Sequence, residues 1–293
     1  MAQEPLLTTL LDLDSALNSP QKLIIGGGYG LYLKQLYVRD NPQIRTLFAA
    51  SELPTARTTE DIDLILRAEI VTDSESMKAI RAVLDQLGFT VVETAKYTQF
   101  VRPMSPGHVK IDLLAAPLGE FASRVPKDKV RVKPNPGVGL HGHKLEEALA
   151  VDRHPISVPI AGQLSSGETH QSEVLIPQAF TYLLMKLCAY RDRMDNADRN
   201  LGQHHALDIY RIVGMLTEEE DSDVRALSAE FAEHPVVVDA RQIAATHFIS
   251  PDGIGRLRIR EHPLYTTALD LNRFAEELKQ LLGVAPGPRT ATS

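Results

Sequence analysis

The chain has little of what marks a secreted, membrane-spanning or fibrous protein. A single cysteine, Cys188, rules out a disulfide framework, and its setting in Leu187-Cys188-Ala189 reads as a small buried apolar residue. No apolar run approaches the ~18 residues that cross a bilayer. Met1-Ala2-Gln3-Glu4 lacks the basic start of a signal peptide. We therefore expect a soluble, cytoplasmic protein with no membrane partner. Positive charge is also in short supply: 31 Lys and Arg against 38 Asp and Glu leave −7, which argues against non-specific binding of a long polyanion. What is present is ordinary globular material. The 293 residues are 43% hydrophobic, enough for one elaborate domain or two modest ones.

The shortage of positive charge is uneven. Arg124, Lys127, Lys129, Arg131 and Lys133 meet only Asp128, a local +4 suited to a phosphate chain. A solvated basic loop is the plainer reading of the same tract.

Hydrophobic spacing predicts a helix over 4–18, a short strand over 22–25, a helix over 29–38 and a strand over 62–66. A helix over 74–87 follows, closed by Gly88, and then strands near 89–93, 97–102 and 108–114. Residues 40–60 read as irregular and polar. The stretch 115–176 reads as an irregular connector with one or two strands. From Pro177 onward the pattern is helical, near 177–193, 203–216, 219–233, 236–248 and 266–282. The expected architecture is an α/β domain over 1–175 with a mixed sheet and flanking helices, a helical bundle over 176–283, and a disordered tail over 284–293.

Two places concentrate chemistry. Ile24-Ile25-Gly26-Gly27-Gly28-Tyr29-Gly30 is a strand that ends in glycines and opens a helix, a plan that lets backbone amides approach phosphate oxygens. No Lys-Ser/Thr stands where a Walker A loop needs it, and Leu31 or Leu33 stands where the Rossmann pattern needs its third glycine. A plain strand-to-helix turn explains the glycines as well. The second place is Arg57-Thr58-Thr59-Glu60-Asp61-Ile62-Asp63. Asp61 and Asp63 are two apart on a strand and share a face, and paired carboxylates repel unless a cation lies between them. Such hard oxygen donors suit Mg²⁺. Asp112 is a lone acid within Ile111-Asp112-Leu113 on another strand, and it is costly to bury unpartnered. If the two strands are neighbours, the three acids form one cluster able to hold two metal ions. Each acid taken alone reads as a solvated strand edge or turn cap.

In this order the motifs resemble the nucleotidyltransferase superfamily that includes DNA polymerase β. The chain is most similar to its AbiEii/AbiGii abortive-infection branch, several members of which are toxins of toxin–antitoxin pairs. That pattern runs apolar strand, Gly-Gly, short helix, R-x-[ST]-x-D-[ILF]-D and a later strand acid, matched here by Gly26-Gly27-Gly28, Arg57 to Asp63, and Asp112. The 34 residues from Gly27 to Asp61 exceed the usual spacing, so 39–56 resembles an insertion. The resemblance continues through Ala179–Ala189, with Lys186 in an apolar helix, and His205–Tyr210, where only Asp208 of an acid pair is kept. It implies a metal-dependent nucleotidyltransferase that moves NMP from an NTP to an acceptor hydroxyl. Asp61, Asp63 and Asp112 would hold Mg²⁺ or Mn²⁺; Gly26, Gly27, Gly28, Arg57, Thr58, Lys186 and Asp208 would bind the nucleotide. The implied acceptor is RNA, a tRNA end, with an antitoxin protein as partner. An aminoglycoside-like small molecule, a protein hydroxyl, or a catalytically silent nucleotide-binding module are the alternatives. A snorkelling surface lysine and a surface Asp208–Arg211 pair are the plainer readings of the helical half.

Two further constellations carry less. His141-Gly142-His143 and His204-His205 lack a third ligand at zinc spacing and read as surface histidines. Arg256, Arg258 and Arg260, if extended, would share one face, to bind a polyanion or to pair with the acidic run Glu218–Asp221.

Overall fold

The computed structural model describes residues 4–19, 21–57, 59–95, 97–104 and 107–284. The expected tail falls almost wholly outside them. The chain divides into two compact units: one of Met1–Tyr37 with Ala56–Pro177, the other of Val38–Thr55 with Gln178–Ser293.

The first unit is mixed α/β. It holds α1 (Pro5–Leu17), β1 (Ile24–Ile25), most of α2 (Gly27–Asp40), β2 (Asp61–Leu66), α3 (Ala68–Val71), α4 (Ser74–Gln86), β3 (Thr90–Val91), β4 (Gln99–Pro103), β5 (His108–Ala115), β6 (Arg131–Val132), β7 (Gly142–Lys144), β8 (Ile156–Gln163) and β9 (Thr169–Ile176). Among the described residues these nine strands join one mixed sheet in the order β3-β4-β5-β2-β1-β9-β8, with β7 also pairing β5 and β6 pairing β7. β2 and β5 run parallel in the middle, and β1 lies antiparallel to β2. Ile25, Ile62, Phe100, Ile111 and Leu113 are fully buried and form the floor of the sheet. The helix expected over 74–87 is α4, started by Asp73, whose side chain accepts a 2.8 Å hydrogen bond from the Ser76 amide. It is closed by Gly88 at φ +78°, a conformation glycine adopts without cost.

The expectation of an irregular connector with one or two strands over 115–176 is corrected: the stretch holds β6, β7, β8 and β9, and β8 and β9 form an antiparallel hairpin with eight paired positions. Ile156, Val158 and Ile160 alternate as a half-buried strand should, but Pro159 argues against a strand interior. It is tolerated because β8 is the last strand in the sheet order, where a ladder donor can be missing.

The second unit is helical: α5 (Ala179–Arg191), α6 (Gln203–Gly214), α7 (Glu218–Glu230), α8 (Pro235–Ala244), α9 (Ile254–Glu261) and α10 (Leu271–Leu282). One π-helical turn, Ala245–Ile249, extends α8. α5 is buried on nearly all sides, and an all-round apolar helix belongs at the centre of a bundle. α7 opens with a capping box between Thr217 and Glu220, and its acidic run Glu218–Asp221 lies in the first turn, where the helix dipole favours negative charge.

Residues 38–55 belong to this unit rather than to the α/β part. Phe48 is fully buried beside Tyr210, at 5.4 Å between ring centroids, with the Arg273 guanidinium over its ring at 4.6 Å. The Leu47 and Phe48 amides donate to the Leu216 and Gly214 carbonyls. A Cβ at Gly214 would lie 2.5 Å from Leu53 Cδ2 and 3.0 Å from Phe48 Cδ2. Gly214→Ala is therefore expected to cost about 1–3 kcal/mol by overpacking. Thermal denaturation followed by helical circular dichroism checks this, and an unchanged midpoint would contradict the close packing of this segment.

Candidate active site

β2 reads Asp-Ile-Asp-Leu-Ile-Leu. Ile62 and Leu64 point into the core, so Asp61 and Asp63 share the opposite face. β5 repeats the pattern: Val109, Ile111 and Leu113 are buried, while Lys110 and Asp112 face the other way. The parallel register sets Asp61 beside Lys110 and Asp63 beside Asp112. Adjacent residues of paired strands project to the same side, so four charged side chains form a two-by-two array on one face of the central sheet. The structure thus brings together Asp61, Asp63 and Asp112, and adds a lysine.

Lys110 Nζ lies 3.3 Å from Asp61 Oδ2 and 3.4 Å from Asp112 Oδ2, bridging the two strands. Thr59 Oγ1 donates a 2.5 Å hydrogen bond to Asp61 Oδ1. Burial alone would raise the Asp61 pKa. The Thr59 hydrogen bond and the charges of Lys110 and Arg57 outweigh it and hold Asp61 below the ordinary carboxylate range. Asp112 goes the other way: burial pushes it up, the Asp61 charge adds to the rise, and Lys110 offsets only part of it. Burial disfavours the Lys110 ammonium, but the two carboxylates prevail and raise its pKa. Two neighbouring carboxyls whose pKa values are driven apart can take different roles, one a fixed anion and the other a proton acceptor.

The glycines lie in a strand-to-helix turn between β1 and α2. Gly27 sits at φ +59°, and a Cβ there would fall 1.5 Å from Asp63 Oδ2. The Asp63 carboxylate therefore occupies the N-terminal end of α2, where the dipole favours an anion. The Gly26 amide donates 2.8 Å to the Asp63 carbonyl, tying the loop to β2. A Cβ on Gly28 would meet Arg57 Nη2 at 2.8 Å, so Arg57 closes over the same turn. Thr58 lies outside the described residues.

Carboxylate oxygens are the donors a divalent ion takes. Asp112 Oδ1 is buried and accepts no hydrogen bond, an acceptor left open. In donor type alone the residues suit Mg²⁺ or Mn²⁺. The acids are nonetheless spread between Lys110 and the α2 end. Among the described residues, no group of three or more His, Cys, Asp or Glu side chains is set to ligate a metal.

The second unit holds Lys186 and Asp208. Lys186 is not a snorkelling surface lysine; only 7% of its side chain is exposed, and its Nζ donates 2.7 Å to Asp208 Oδ2. The other oxygen, Oδ1, accepts 2.9 Å from Arg211 Nη1, with both side chains fully buried. Asp208 is thus the i,i+3 partner of Arg211, inside the unit rather than on its surface. The pair was expected at the surface because an arginine on an amphipathic helix ordinarily faces water.

Three other expectations change. Arg256, Arg258 and Arg260 lie on α9, where residues two apart diverge in direction, and they share no face. Arg256 is buried and donates to Asn272 Oδ1, and Arg258 pairs with Glu261 at 2.6 Å. In the acidic run, Asp221 instead takes Arg225 at 2.9 Å. His204 is not a lone surface histidine; its Nδ1 lies 2.8 Å from His262 Nε2. Cys188 is buried, as its neighbours suggested. In the basic tract, Arg124, Lys127 and Lys129 are exposed, with Arg124 stacked over Phe121 and Arg131 paired to Asp128. No described helix is long and apolar enough to cross a membrane.

Comparison with known protein families, with curated proteins and with solved structures returns no match to this chain.

Proposed function

We propose that the chain is a metal-dependent nucleotidyltransferase that moves NMP from an NTP to an acceptor hydroxyl on RNA, such as a tRNA end. The observation that carries this reading is the array of Asp61, Asp63 and Asp112 on one face of two neighbouring central strands, beside a glycine turn that opens a helix. The acceptor oxygen bonds to the α-phosphorus, the α–β anhydride bond breaks, and pyrophosphate leaves. Asp61, Asp63 and Asp112 would hold the divalent ion, which would supply Lewis-acid polarisation of the phosphoryl oxygens. The protein's own part is proton transfer and positioning. Asp112, with its raised pKa, accepts the hydroxyl proton. Thr59 and Lys110 hold Asp61, and Gly27 makes room for Asp63. The exposed residues of the 124–133 tract supply positive charge for an RNA backbone, so binding should weaken as salt rises. A role as the toxin of a toxin–antitoxin pair, with a protein antitoxin, follows from the same resemblance.

A second reading has its own observation. Lys110 neutralises two of the acids from within, as a catalytically silent nucleotide-binding module would.

Incubation with labelled NTPs, Mg²⁺ and total RNA separates the readings. Label on RNA is the expected result. Label on a protein or an aminoglycoside points to the alternative acceptors, and NTP binding without transfer to the silent module. Asp112→Asn should slow transfer about 100-fold, the lower end of general-base contributions. The wild-type rate should fall towards acid pH, because the base must be ionised to act. A pH profile with no such acid limb would remove Asp112 from this role.

A further inference from the structure

We infer that the helical unit carries a ligand site of its own, a polar cavity between α9 and the start of α10 that takes the phosphate group of a small phosphorylated molecule on Arg256 and Arg260. The inference is independent of the nucleotidyltransferase reading and of the acid array.

The cavity measures about 460 Å³, a size ordinary for a small-molecule site, but its walls are polar where such walls are mostly apolar. Arg258 diverges from its neighbours, whereas Arg256 and Arg260 are four residues apart, about one turn of α9, and both line the cavity. Arg256 is only 5% exposed. Among the described residues its hydrogen bond runs from Nη2 to Asn272 Oδ1, its Nε is buried with no acceptor, and no carboxylate pairs with it. An arginine keeps its proton in a protein, so this is a buried charge without a counter-ion. The acids around it are committed elsewhere. Glu52 faces the Arg273 guanidinium at 3.3 Å and takes the Ala49 amide at 2.8 Å; Asp270 Oδ1 accepts the Asn272 and Arg273 amides at 3.0 Å as the cap of α10. Asp252 and Asp270 act on Arg256 only as charges at a distance. Burial and the Arg260 charge outweigh them and hold the Arg256 pKa below the ordinary arginine value. Glu52, Asp252 and Asp270 cancel the formal charges of Arg256, Arg260 and Arg273, so it is not net charge that singles out an anion. The missing piece is an acceptor for the N–H groups of Arg256. A phosphate offers oxygens to two guanidinium forks at once, and Tyr265 and Thr267 add hydroxyls to the same walls. A bare phosphate would leave most of the volume empty, so the group belongs to a larger molecule.

Thermal denaturation of the full chain in inorganic phosphate, against chloride at equal ionic strength, reads binding as a rise in midpoint with phosphate concentration. A phosphate-specific rise is expected for the wild type. Arg256→Gln and Arg260→Gln should each weaken the apparent phosphate affinity about 10-fold, the equivalent of one charged hydrogen bond. Arg258→Gln, on the same helix but paired with Glu261 and outside the cavity, should bind as the wild type does. Arg260 is exposed, so its variant decides the matter should Arg256→Gln fold poorly. No phosphate-specific rise in the wild type, an equal loss in all three variants, or undiminished binding in folded Arg256→Gln or Arg260→Gln would overturn the site. An equal rise with acetate would overturn phosphate as the group it takes. Each of these outcomes leaves the nucleotidyltransferase reading untouched.

Discussion

Asp208→Ala should destabilise the helical unit by about 3–5 kcal/mol, the range for removing one partner from a buried ion pair. The size follows from what stays behind. Lys186 and Arg211 both point at the Asp208 carboxylate, and the side chains of Arg211 and Asp208 are wholly withdrawn from water. With the carboxylate gone, two cations share a buried space without the anion that now lies between them, and they repel each other. Domains are stable by only about 5–15 kcal/mol, so the loss takes a large share. Thermal and urea denaturation followed by helical circular dichroism measure it. A wild-type midpoint in Asp208→Ala would show that the triad carries no structural weight. The companion variant Lys186→Met/Asp208→Leu/Arg211→Met should recover most of the loss, since apolar groups of similar volume often replace a buried ionic cluster at little cost.

Gly27→Ala is the second large effect, about 2–5 kcal/mol. Overpacking supplies about 1–3 kcal/mol of this, because the new methyl would fall 1.5 Å from Asp63 Oδ2. The left-handed backbone at φ +59° supplies about 1–2 kcal/mol more for any residue with a Cβ. Transfer activity should fall as well, since the Asp63 carboxylate must swing off the end of α2. The pair Gly27→Ala/Asp63→Ala separates the causes: clearing the carboxylate should restore the overpacking part and leave the backbone part. If the single and double variants melt alike, the approach of Asp63 is not what requires a glycine there.

These two sites also mark where sequence reasoning stops. The shared face of Asp61 and Asp63 was legible because strand alternation is local, and the same rule places Lys110 with Asp112 in Val109-Lys110-Ile111-Asp112. What the local rule cannot supply is the β2–β5 register, a long-range fact, which turns Lys110 from a neighbour of Asp112 into a bridge to Asp61. The glycines drew attention for a local reason, their position between strand and helix, yet the group lying on Gly27 comes from 36 residues further along. Lys186 in an apolar helix was visible as an anomaly, but its answer needed α6 packed on α5 to bring Asp208 and Arg211 to it. Phe48 was the overlooked signal in 38–55, a large apolar ring in a stretch otherwise read as polar and irregular.

That last segment has a consequence for how the polypeptide is made and cut. The helical unit is assembled from two stretches of chain separated by about 120 residues. During synthesis its first piece leaves the ribosome early and waits for α5 to α10 before Phe48 has a place to go. Cutting the chain at 177 would not release an intact half. The helices would keep the hollow beside Tyr210 and lose the ring that fills it, while the α/β part would carry that ring with no home.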